Sequence, residues 1–82
     1  MDADSNLLVH LTAAGELLRG NQMAEAGAEI AAALRIAPSD VRALNLLGLL
    51  RFQSGQVDEA YAVYSRLVTE HPADPEIGRA HV

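Results

Sequence analysis

The stretch GQVDEAYAVYSRLVTEHPAD, from Gly55 to Asp74, loosely repeats NQMAEAGAEIAAALRIAPSD, from Asn21 to Asp40. Pro38 and Pro72 lie 34 residues apart. At the same offset Gln22 pairs with Gln56, Glu25 with Glu59, Ala26 with Ala60, Ala28 with Ala62 and Asp40 with Asp74. A fixed period of this length marks an array of stacked supersecondary units, each too apolar on one side to stand alone.

The punctuation between the repeats sets the unit. Breakers sit at Gly20-Asn21, Pro38-Ser39-Asp40, Ser54-Gly55 and Pro72-Ala73-Asp74-Pro75. The segments between them have helical length and no strand alternation. The first is expected over Ser5 to Arg19, capped by Asp4 or Ser5, with Leu7, Leu11, Ala14 and Leu18 at helical spacing. The second is expected over Met23 to Ile36, striped by Ala26, Ile30, Ala33 and Leu34, and ended by Pro38. The third runs over Asp40 to Gln53, with Ser39 or Asp40 as cap. It is apolar on two sides, Leu44, Leu47 and Leu50 on one and Leu46, Leu49 and Phe52 on the other. The fourth runs over Val57 to Glu70, striped by Ala60, Tyr64, Leu67 and Val68 and ended by Pro72. A fifth helix is expected to begin at Asp74, with Pro75 in its first turn. Short connections make successive helices antiparallel. The expected fold is all-α: two helical hairpins and the start of a third.

Composition agrees and narrows the function. Half of the residues are hydrophobic and 21% are charged, which suits a packed chain. At 82 residues, folding buries only about 60% of the unfolded chain's surface, so stability is marginal. Net charge is −5 and all six basic residues are arginine, as a GC-rich bacterial gene would give. Scattered arginines on an acidic chain argue against nucleic acid and against anionic membranes. No cysteine is present, so disulfides, thiolate metal sites and a cysteine nucleophile are excluded. The acidic start MDADSN lacks the basic residues of a secretory signal, and no apolar run approaches the roughly 20 residues that span a bilayer. A cytoplasmic protein is expected.

Catalytic and metal constellations are absent from the pattern. His10, His71 and His81 are far apart along the repeats, and His10 reads as a packing residue. Glu25, Glu29, Asp58 and Glu59 lie toward the starts of second helices, where carboxylates favour the positive end of the helix dipole. Ser5 and Ser39 read as caps and Ser54 as a turn residue. The glycines are isolated, so none forms a phosphate loop. No enzyme activity, no cofactor and no metal are expected.

The second copy, Val41 to Asp74, resembles the tetratricopeptide repeat family. Leu44, Leu47 and Gly48 match its large, large and small residues in the first helix, and Gly55 falls at its inter-helix turn. Ala60, Tyr64 and Pro72 match its small, aromatic and closing residues. Leu67 replaces the usual alanine, and Arg51 the usual tyrosine or leucine, with Phe52 beside it to share that packing. The first copy, Leu7 to Asp40, is more divergent: His10 holds a large-residue place, while Ala26, Ile30, Ala33 and Pro38 match. The resemblance implies a solenoid with residues 1–6 as lead-in, repeats at 7–40 and 41–74, and a third repeat beginning at 75–82. Gly48 and Ala60 would let two axes approach, with Leu47, Tyr64 and Leu67 on the flanks.

The resemblance also implies a concave face lined by the first helix of each hairpin. Carried over by position, it comprises Leu8, Leu11, Thr12, Gly15, Leu18 and Arg19, then Arg42, Asn45, Leu46, Leu49, Phe52 and Gln53. Members that clamp a C-terminal carboxylate use lysine and asparagine there, whereas this chain has Leu11, Gly15 and Leu46 in the matching slots. The expected partner is therefore a protein or peptide, an amphipathic helix or hydrophobic segment laid into an apolar groove. The alternatives are an export-type chaperone shielding a hydrophobic helix, and an oligomerisation module of a larger protein that self-associates through uncovered repeat ends. The final residues IGRAHV, Ile77 to Val82, coincide with one reading frame of a common sequencing adapter. The hypothesis is that they are adapter read-through on a truncated gene product. An intact genomic copy reading IGRAHV in place would remove it.

Overall fold

The computed structural model describes residues 3–70. Helix α1 spans Ala3–Arg19, α2 Met23–Ile36, α3 Val41–Gln53 and α4 Val57–Glu70, and among the described residues there is no strand. The all-α hairpin repeat is what the period requires. Pro72, Asp74, Pro75, His71, His81 and the hexapeptide from Ile77 to Val82 lie outside the described residues. α1 begins at Ala3, ahead of the expected Ser5, so Ser5 lies inside its first turn rather than at its cap.

The two hairpin turns carry the period into three dimensions. Asn21 adopts φ 61° and Gly55 φ 82°, and these residues are 34 apart. Each is the left-handed residue that ends a helix, a conformation open to glycine and tolerated by asparagine. Asn21 N–H donates to Leu18 O at 3.1 Å and Gln22 N–H to Leu17 O at 2.9 Å. One repeat later Gly55 N–H donates to Phe52 O at 3.1 Å and Gln56 N–H to Arg51 O at 2.8 Å. The same carbonyls are satisfied in the same way, the double-bonded closure that glycine or asparagine permits.

Between the hairpins, Asp40 caps α3. Its carboxylate accepts from Arg42 N–H at 2.9 Å and Ala43 N–H at 3.1 Å. Burial raises the Asp40 pKa, but the Arg42 side-chain hydrogen bond, the Ala43 N–H, the Arg42 charge and the Arg42 N–H together outweigh it and hold the carboxyl below its ordinary value. At the start of α2, Gln22 makes no side-chain cap bond.

The core is organised around α3. Its Leu50 joins Ala14, Leu18, Ala26 and Ile30 of the first hairpin. Its Ala43 joins Leu7, Leu11 and Ala33. Its Leu44 turns the other way and packs with Leu67 of α4. Leu46 supports both clusters of the first hairpin, and Leu47 touches clusters on both sides. Fully burying a leucine or isoleucine contributes about 1.5–3 kcal/mol. Ile30, Leu44 and Leu67, the largest fully buried side chains, are therefore the principal anchors.

Candidate functional site

The twelve residues expected on the concave face divide into two sets. Leu11 and Leu18 are 7% and 3% exposed and sit in the clusters that join the hairpins, where Ala43 and Leu50 cover them. They are corrected from groove lining to core. Leu46 is half-buried against the same clusters and also belongs mainly to the joint. A stripe of leucine on a first helix feeds two surfaces, the groove and the stack. The family resemblance, carried over by position, assigned all of it to one.

What remains outward on α1 is Leu8, Thr12, Gly15 and Arg19, at intervals of four, three and four. Such intervals place them along one side of a helix. On α3 the corresponding line is Arg42, Leu49 and Gln53, with Asn45 exposed beside it. α1 and α3 are in contact, so the two lines are neighbours. Leu8 is 57% exposed and Leu49 38%. The face is thus mixed: two open leucines set among Thr12, Arg19, Arg42, Asn45 and Gln53, not the uniformly apolar groove expected. Arg42 is held in place by Asp40, its guanidinium donating at 3.3 and 3.0 Å.

Phe52 is 59% exposed but does not continue this line. It lies 34 residues after Leu18 and so takes Leu18's place on the second hairpin, on the side that stacks. Val57 and Tyr61 of α4 are open as well. Among the described residues the exposed large apolar side chains are thus shared between that end and the first helices, where Leu8, Val9 and Leu49 are open.

One contact escaped the sequence reading, and another, Tyr64 against Gly48, is tighter than a flank position implies. His10 Nδ1 lies 3.0 Å from a Glu29 carboxylate oxygen, bridging α1 and α2. The pair was invisible because a 19-residue separation has no helical meaning until the hairpin folds. Tyr64 covers Gly48 so closely that a Cβ there would sit 2.8 Å from the ring. Burial pushes the Tyr64 phenol above its ordinary pKa. Among the described residues no group of three or more His, Cys, Asp or Glu is placed to hold a metal ion, and no helix is long and apolar enough to cross a membrane.

The sequence model of the tetratricopeptide repeat family matches residues 5–81. No curated protein and no solved structure gives a significant match.

Proposed function

Because the chain belongs to the tetratricopeptide repeat family, whose repeats generally mediate protein–protein interaction, we propose that it is a non-catalytic scaffold that takes a peptide or helix on the α1/α3 face. The observation that carries this reading is the pair of exposed leucines, Leu8 and Leu49, on adjacent first helices with polar residues around them. Two apolar contacts within a polar frame suit an amphipathic segment, whose leucine-type anchors cover the open side chains while its polar groups meet Thr12, Asn45 and Gln53. The overall charge of −5 favours a partner of neutral or basic character. The expected setting is the bacterial cytoplasm.

A panel of amphipathic helical and extended peptides, titrated into isotope-labelled protein, tests the reading. The amides of Leu8, Thr12, Arg42, Leu49 and Gln53 should shift together. The Leu8→Asp, Leu49→Asp double variant should lose those shifts with its circular dichroism unchanged, since both side chains are open to water. Perturbations confined to α4 would refute the assignment of this face.

A further inference from the structure

We draw no further inference here: the strongest candidate, the exposed apolar patch of Phe52, Val57 and Tyr61 at the open end of the second hairpin, carries nothing because nothing in the structure shows what covers it.

Discussion

In the first hairpin the small residue of the leading helix is Ala14, and it shares a buried cluster with Ile30 of the following helix. In the second hairpin the same two places hold Gly48 and Tyr64. One side gives up a methyl and the other grows from an aliphatic chain to a ring. Volume is conserved across the contact while its distribution is not, which is how packed interiors accept change. Compensation is therefore local to each contact, and substitutions that move one partner alone should show it.

The largest effect is expected where one side chain serves both hairpins. Ile30 is 1% exposed and shares its cluster with residues of α1, α2 and α3. Ile30→Ala should cost about 2–5 kcal/mol. In a chain this short the loss should unfold both hairpins in one transition, read as coincident urea midpoints by circular dichroism and Tyr fluorescence. Separate transitions would show that the hairpins are energetically independent and that Leu50 does not couple them.

Gly48→Ala comes next. Its Cβ would lie 2.8–3.2 Å from three carbons of the Tyr64 ring, too close for either to stay in place. The expected cost is about 1–3 kcal/mol. Adding Tyr64→Ile converts the contact to the first hairpin's alanine–isoleucine pair and should recover a large part of that loss. If the double variant is as unstable as the sum of the singles, the two contacts are not interchangeable and the volume argument fails.

The turn geometry was fully legible in the sequence, and the role of the third helix was not. Asn21 and Gly55 fall at matched offsets, and both are residues that accept positive φ, so the turn could be read from two letters. α3 carries Leu44, Leu46, Leu47, Leu49, Leu50 and Phe52, which leaves only the narrow polar line of Arg42, Asn45 and Gln53 to mark what faces water. A helix covered on two sides loses the single-stripe pattern on which orientation is read. The groove assignment failed for Leu11 and Leu18 because it was carried over from the family resemblance, although the stripe Leu7, Leu11, Ala14 and Leu18 is the buried side of α1. Their partners Ala43 and Leu50 belong to the next repeat, and nothing within α1 announces them. Leu8 and Leu49 remained assignable because they sit among polar neighbours.

The helix caps give a smaller contrast. Asp40→Ala removes both cap bonds of α3 and should cost about 0.5–2 kcal/mol, while Gln22→Asp should add stability of the same order to the uncapped α2. The Asp40 carboxyl titrates lower in the folded state than in the unfolded chain. Its contribution is therefore fully present above the unfolded value, near pH 4, and is lost as pH falls through the lower folded value. In Asp40→Ala the stability difference from wild type should shrink at acid pH. A difference that stays constant down to pH 2 would mean that the cap acts through geometry and not through charge.

The smallest expected effect concerns a place where the hairpins differ in kind. His10 and Glu29 bridge α1 and α2, and one repeat later the same places hold Leu44 and Val63, which pack in the Leu67 cluster. The side chains of His10 and Glu29 are 32% and 31% exposed, so water screens much of their attraction. Glu29→Gln should then change stability by less than about 1 kcal/mol. Importing the second hairpin's solution, His10→Leu with Glu29→Val, exchanges a screened polar contact for apolar burial. Such replacements are neutral or favourable when the new side chains pack. The double variant should match or exceed wild type by no more than about 1 kcal/mol, while His10→Leu alone, which leaves Glu29 beside an apolar surface, should fall below it. Urea midpoints of the three variants decide the matter. A destabilised double variant would show that this end of the first hairpin is held by the hydrogen bond itself and that the two repeats are not exchangeable there.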